Sequence, residues 1–389
     1  MLRIAIFFSH PTQHHAPWFR AIAATGEVDL HVFYYHPGFT SPSGGYDRGF
    51  GATFQWDVPL LEGYPYTILP PLVDRGLSYF TVNRQLLSAL RSRPWDAVFV
   101  AGYAHINNWV VAVASKYLGI PVLHFCDANL LTPTGLLKQM VKEPVIRTFF
   151  ALMAGFLYIG DHNYDFYRHY GEAPDKLSWC PYPIDIRRFM PPREVELTAL
   201  RQRYEIPQEA RVVLFVGKLI PRKRPLDLVQ ALARLNSEGK VIGLFVGEGP
   251  LREKILFAGG SRVRITGFIN QTEMPAHYAL GDLLAMTSAH DPHPLAITEA
   301  AALGVPAVIS DRCGCYGPRD VLRVGENGFV YPCGDVQKLA ARLTTLLTDE
   351  PLRQKMAARA RELALTQDIT VAARAIIDEV KALKNSYDH

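Results

Sequence analysis

Short apolar runs alternate along the first half of the chain with stretches whose apolar positions recur every three to four residues. Leu2–Phe8, Leu30–Tyr35, Ala97–Ala101, Val122–Phe125 and Gly155–Ile159 are runs of strand length. Between them Trp18–Thr25, Asn83–Arg91 and Trp109–Leu118 carry helical spacing, the last closed by Gly119 and followed by Pro121. Strands that are apolar throughout and separated by helices predict parallel sheets covered on both faces. The pattern restarts near residue 211, with strands at Val212–Val216, Gly243–Val246, Val263–Ile265, Leu283–Thr287 and Ala307–Ser310. Helices are expected at Pro225–Leu235, Glu273–Leu280 and Leu295–Leu303, and an amphipathic segment, Val371–Leu383, ends the chain.

The expected fold class is therefore α/β, with two Rossmann-like doubly wound parallel-sheet domains in series, over residues 1–185 and 186–369. The join falls at Trp179–Asp185, where Pro181 and Pro183 keep the chain extended. Ligands of such sheets sit outside the carboxyl ends of the strands, so two such domains are expected to face each other across a ligand cleft. Pro37–Gly51, rich in Gly, Ser and aromatics, is expected to be a loop at those strand ends. There is no internal sequence repeat; the halves share a pattern only.

Composition narrows the partners. A chain of 389 residues suits two domains, and 49% hydrophobic with 20% charged residues marks it as globular. A net charge of +4 with scattered Lys and Arg argues against nucleic acid. The N-terminal apolar run turns polar at Ser9, too soon for a signal peptide, and Thr148–Gly160 is shorter than a spanning helix. Five scattered cysteines fit a reducing compartment, and Cys313-Gly314-Cys315 lacks the spacing of a zinc knuckle. A cytoplasmic protein with at most peripheral membrane contact is the expectation.

Two stretches carry candidate chemistry. In Asp291-Pro292-His293-Pro294-Leu295-Ala296-Ile297-Thr298-Glu299, Pro294 suits a first helical turn and Gly304 its end. The amides of Leu295, Ala296 and Ile297 would then point outward at the positive end of the helix dipole, where anions bind. Glu299, one turn on, suits hydrogen bonds from vicinal hydroxyls of the same ligand. The second stretch, Val216-Gly217-Lys218-Leu219-Ile220-Pro221-Arg222-Lys223-Arg224, follows a buried strand and packs four cations into seven residues.

Together these stretches resemble the signature of the retaining glycosyltransferases of family 4, which have the GT-B fold. The family motif is Glu, seven residues, Glu, then an Ala-rich helix ending Gly-x-Pro. The resemblance implies that Glu299 holds the donor ribose, that the amides before it bind the diphosphate, and that Asp291 lies near the transferred sugar. Asp291 departs from the family Glu and reaches roughly 1.5 Å less far. Lys218 and Lys223 match the family's diphosphate-clamping Arg and Lys. Gly247 matches a Gly-x-Gly turn near the donor, and Phe268 follows the strand before the base pocket. The C-terminal helix is expected to cross back onto the first domain, as is common in this fold.

On the N-terminal side, Gln13, His14 and His15 follow the first strand where relatives carry a donor-facing loop, often with a Gly pair. Relatives also place a sugar-contacting His at the end of the Val122–Phe125 strand, and here Asp127 or His124 fills that slot. The aromatic residues Trp18, Phe39, Tyr46 and Phe50 are candidates for an acceptor ring. The implied reaction moves a sugar from a nucleoside-diphosphate sugar to a hydroxyl of an acceptor, a saccharide, a lipid-linked glycan or a small metabolite, with retention, in glycan, polysaccharide or glycoconjugate biosynthesis. Lys218, Lys223 and the helix amides would stabilise the leaving diphosphate while Asp127 or Asp291 faces the cationic sugar. With no Asp-x-Asp motif in the donor half, no metal and no cofactor are expected. Alternatives are a nucleotide-sugar epimerase or hydrolase, or a non-catalytic nucleotide-sugar-binding subunit.

Overall fold

The computed structural model describes residues 1–40, 44–47, 49, 51–72, 76–132, 135–235 and 240–387. Two compact units divide the chain. The first comprises Met1–Gly45, Val58–Asp185 and Asp368–His389; the second comprises Tyr46–Asp57 and Ile186–Gln367. The excursion Tyr46–Asp57, drawn from the first half of the chain, thus groups with the second unit.

The first unit is built on a seven-stranded, all-parallel sheet. Its spatial order is Tyr66–Ile68, Val28–Tyr34, Leu2–Phe8, Ala97–Ala101, Val122–Phe125, Gly155–Tyr158, Leu177–Trp179. The two central strands pair Ile4 with Ala97 and Phe7 with Val100. Being covered on both faces, Leu2–Phe8 is almost wholly buried, which is why it reads as an unbroken apolar run. The expected strands are present to within two residues. Sequence pattern did not reveal Leu136–Phe150, a helix with Pro144 inside it and exposed Leu137, Met140 and Val141. The C-terminal helix Ile369–Tyr387 belongs to this unit and packs on His15–Ala24. Its Arg374 and Lys381 both pair with Glu27, and Lys384 lies 3.0 Å from Asp96.

The second unit has six parallel strands in the order Val263–Gly267, Val241–Val246, Arg211–Val216, Leu283–Met286, Ala307–Ser310, Gly328–Tyr331. In each sheet the order doubles back between the first strand and the fourth, the reversal characteristic of Rossmann-like folds. In folds of this kind ligands bind outside the carboxyl ends of the strands, at that switch point. Helices Val336–Thr348 and Glu350–Leu365 complete the unit, each begun by an Asp whose carboxylate accepts from the first turn. No described helix is long and apolar enough to cross a membrane.

Candidate functional site

At the switch point of the second unit the chain leaves Arg211–Val216 through Gly217 and Lys218. The turn lies flat on its neighbour: Gly217 N–H donates to the Val246 carbonyl at 3.0 Å, and Leu219 N–H to Glu248 at 2.8 Å. Such close approach demands glycine opposite. A Cβ at Gly247 would stand 2.0 Å from the Gly217 carbonyl oxygen, and Gly247 has φ +148°. Gly247 therefore acts through its backbone, by letting the basic turn settle on the sheet edge.

The two candidate stretches, nearly seventy residues apart in sequence, meet here. Ala289 N–H donates to the Arg222 carbonyl at 2.8 Å, and the Thr287 hydroxyl donates to the carbonyls of Lys223 and Arg224. Lys223 forms an ion pair with Asp291, both side chains largely buried at 14% and 10% exposure. Lys218 is held by Asp47, with both carboxylate oxygens at 2.8 Å from its Nζ. The other two cations differ in role. Arg222 reaches the His290 carbonyl at 3.3 Å, whereas Arg224 folds back onto Asp227 at 2.7 Å and braces its own helix.

The helix of the Asp291 stretch corrects one expectation. It runs Ala296–Ala302, with Pro294 ahead of the helix and not in its first turn. Ile297 N–H is engaged by the Pro294 carbonyl at 3.1 Å in the tight turn that starts the helix. Ile297 is therefore not an outward donor; the amides of Leu295 and Ala296 are the ones left at the tip. Glu299 is buried, and its Oε2 accepts from the Tyr278 hydroxyl at 2.6 Å. Burial raises its pKa, against the opposing pull of Tyr278 and Arg188.

Phe268 follows strand Val263–Gly267 and stacks on Phe54, ring centroids 4.2 Å apart. The excursion is pinned beside it: the Asn270 amide donates to the Gln55 carbonyl, and Asp57 accepts from Gln271 and Thr272 N–H at 3.0 and 3.1 Å. The excursion thus covers Phe268 with a ring and Lys218 with a carboxylate.

The first unit has its own opening, again at the switch point, a cavity of about 410 Å³ where the strands Leu2–Phe8, Ala97–Ala101 and Val122–Phe125 end. His15 and Asp127 line it. The Thr12 hydroxyl accepts from His15 N–H at 3.2 Å and lies 2.9 Å from its Nδ1, which fixes the ring. Burial, then neighbouring His14 and His10, lowers the His15 pKa to about 3, so the ring is neutral. Gln13 and His14 pair with each other at 3.0 Å in the same turn, outside the lining. His124 is a correction to the expected sugar-side set. It is fully buried in its strand, 3.0 Å from the Tyr167 hydroxyl, because its side chain alternates to the core face while Asp127 lies beyond the strand end. Of the two candidates for that slot, Asp127 is the one on the cavity.

The aromatic expectation also needs correction. Trp18 is a fully buried core residue among Phe19, Phe99 and Phe125. Phe39 packs over Gly45, and Tyr46, exposed, goes with the second unit. Phe50 lies outside the described residues. Conversely, Asp47 and Tyr278 have no sequence signal: one sits in a glycine-rich stretch without periodicity, and the other meets Glu299 only through helix packing.

Residues 197–363 match the family model described as glycosyl transferases group 1. A D-inositol 3-phosphate glycosyltransferase of Xylanimonas cellulosilytica is 30% identical over 328 residues, 78% of this chain and 76% of that protein. An N-acetyl-alpha-D-glucosaminyl L-malate synthase of Bacillus anthracis is 29% identical over 185 residues; there the match covers 44% of this chain and 45% of the relative, less than half its length. Among solved structures, HepE of Anabaena in complex with UDP has a TM-score of 0.76 over 98% of this chain and 100% of that one, at 19% identity. At that identity the likeness is one of fold.

Proposed function

Since the chain belongs to the group 1 glycosyltransferases, and its two Rossmann-like domains are of the GT-B type, we propose that it moves a sugar from a nucleoside-diphosphate sugar to an acceptor hydroxyl with retention, as in family 4. The observation that carries this reading is the meeting of the basic turn after Gly217, through Arg222 and Lys223, with the Asp291 stretch at the switch point of the second unit. That place concentrates cations where a diphosphate needs them.

In the proposed reaction the two lysines exchange their carboxylate partners, Asp47 and Asp291, for the more highly charged diphosphate. As the glycosidic bond breaks, negative charge grows on the leaving nucleoside diphosphate. The two lysines, already moved onto the bound diphosphate, and the amides of Leu295 and Ala296 stabilise that charge. Glu299, steadied by Tyr278, accepts from the donor ribose hydroxyls, and Phe268 marks the base end. Asp127, on the cavity of the first unit, orients a sugar or acceptor hydroxyl and balances the positive charge developing at the anomeric carbon.

A panel of nucleotide sugars screened for thermal stabilisation, followed by release of nucleoside diphosphate with and without acceptor sugars, tests the reading. A true donor raises the melting temperature by mass action, and turnover that depends on an acceptor separates transfer from hydrolysis or epimerisation. Stabilisation by none of the panel would remove the proposal.

A further inference from the structure

Helix Leu136–Phe150 of the first unit turns an apolar face to water. Ile146, Phe149 and Phe150 are fully buried and seat the helix on the core. On the opposite side Leu137, Met140, Val141, Pro144, Val145 and Thr148 keep the three- and four-residue spacing of one helical face, and all six are exposed. Leu137, Met140 and Val141 leave 82%, 71% and 68% of their surface in water. A contiguous apolar face of this kind marks a surface for contact with a partner or a membrane.

Two observations decide between them. The face brings no side-chain hydrogen bond to a partner: five of its six residues are apolar, and the Thr148 hydroxyl donates to the Pro144 carbonyl at 2.8 Å. Protein interfaces carry hydrogen bonds along with their apolar centre, whereas acyl chains ask for none. The borders of the face, in addition, are basic. Arg147, seven residues after Met140, follows one edge. Lys142, three residues before Val145, follows the other, its ammonium over the rings of Tyr103 and Phe166. Lys116 of the neighbouring helix Ile106–Tyr117 donates to the Ala151 carbonyl at 3.3 Å, at the C-terminal end. Against these three cations stands Glu143, held by Arg147 at 3.0 Å, so the described side chains leave two positive charges in excess. An apolar stripe between cationic borders is the arrangement of a helix that lies in a lipid interface. We infer that this helix rests on an anionic lipid surface, its stripe at the boundary of the acyl chains and its cations among the lipid phosphates.

Co-sedimentation of the full chain with vesicles of phosphatidylcholine, alone or mixed with an equal part of phosphatidylglycerol, tests this. Binding to the mixed vesicles is expected to be at least about tenfold tighter than to the neutral ones, and to weaken about fivefold as salt rises from about 0.1 to about 0.5 M. Met140→Glu/Val141→Glu, at two positions already in water, is expected to cut binding at least about tenfold while the melting temperature stays within about 2 °C. Phe257→Glu, at a 93% exposed position of the second unit, is expected to leave binding unchanged. No binding to the mixed vesicles, binding that survives in Met140→Glu/Val141→Glu, or an equal loss in Phe257→Glu would each overturn the inference. So would micromolar self-association, seen by analytical ultracentrifugation, that the same double variant abolishes, since the face would then belong to a second copy of the chain. UDP and GDP titrated into the same protein read the donor site separately, so either reading can fall while the other stands.

Discussion

The two units share a strand order and reverse at the same topological point, yet the side chains gathered there differ in chemistry. In the second unit Lys218, Arg222 and Lys223 gather at the strand ends, and two of them rest on carboxylates. In the first the equivalent place is walled by tyrosines and neutral histidines around Asp127. The sheets bring both places to the carboxyl ends of their strands; the loops after each first strand, Gly217–Arg224 against Ser9–His15, supply different side chains there. Backbone placement and ligand choice are therefore separable properties of this chain.

That separation is open to attack by substitution, most severely through the chemistry attributed to the first unit. Asp127→Ala is expected to lower turnover by about 10²- to 10³-fold while nucleoside-diphosphate affinity, by calorimetry, stays within about threefold of the native value. A matching loss of nucleotide affinity would mean that the two openings do not divide the work. Lys223→Ala is expected to cost about 100-fold in kcat/KM for the donor, since it removes a cation and strands the buried Asp291 carboxylate. Glu299→Ala should approach the same loss through affinity, with Tyr278→Phe a milder copy, a rise in donor KM of about three- to tenfold.

Acid should distinguish the units by stability. His10, His15, His105 and His124 of the first unit have pKa values lowered by burial to between about 3 and about 4, against the ordinary 6.5. The unfolded chain then binds protons that the folded chain refuses, so stability is complete above pH 6.5 and falls as pH drops toward 4. A melting temperature more than about 10 °C lower at pH 5 than at pH 7 is expected, with amides of the first unit exchanging first. His293 is the main counterpart in the second unit. A flat pH profile would show that these histidines titrate freely.

The smallest effect concerns the excursion. Asp47→Ala frees Lys218 from its partner, and nucleoside-diphosphate affinity is expected to rise about two- to fivefold. Unchanged or weaker binding would make Asp47 part of the site and not its competitor.

How far these features could be read beforehand follows from their physics. Buried parallel strands announce themselves as apolar runs, so both sheets and the restart near residue 211 are legible in the sequence, while the pairing of the basic turn with the Asp291 stretch is what the resemblance to family 4 implies. Three things were hidden because they depend on tertiary contact. Ile297 spends its amide on Pro294 in a turn whose bond no spacing rule registers. His124 and Asp127 are three residues apart, and only the strand's alternation and end decide which of them meets the cavity. The excursion Tyr46–Asp57 lacks periodicity, so its grouping with the second unit, through Phe54 on Phe268 and Asp47 on Lys218, had no local cue.

The central claim is that a diphosphate is gripped between the lysines after Gly217 and the start of the Asp291 helix. Calorimetric titration of UDP, UMP and uridine, and of the GDP series, into native protein and Lys218→Ala/Lys223→Ala tests it most directly. The account predicts, for one of the two bases, that the diphosphate binds at least about 30-fold more tightly than its nucleoside, and that the margin collapses in the double variant. Equal affinity for nucleoside and diphosphate, or a margin untouched by the loss of both lysines, would contradict it.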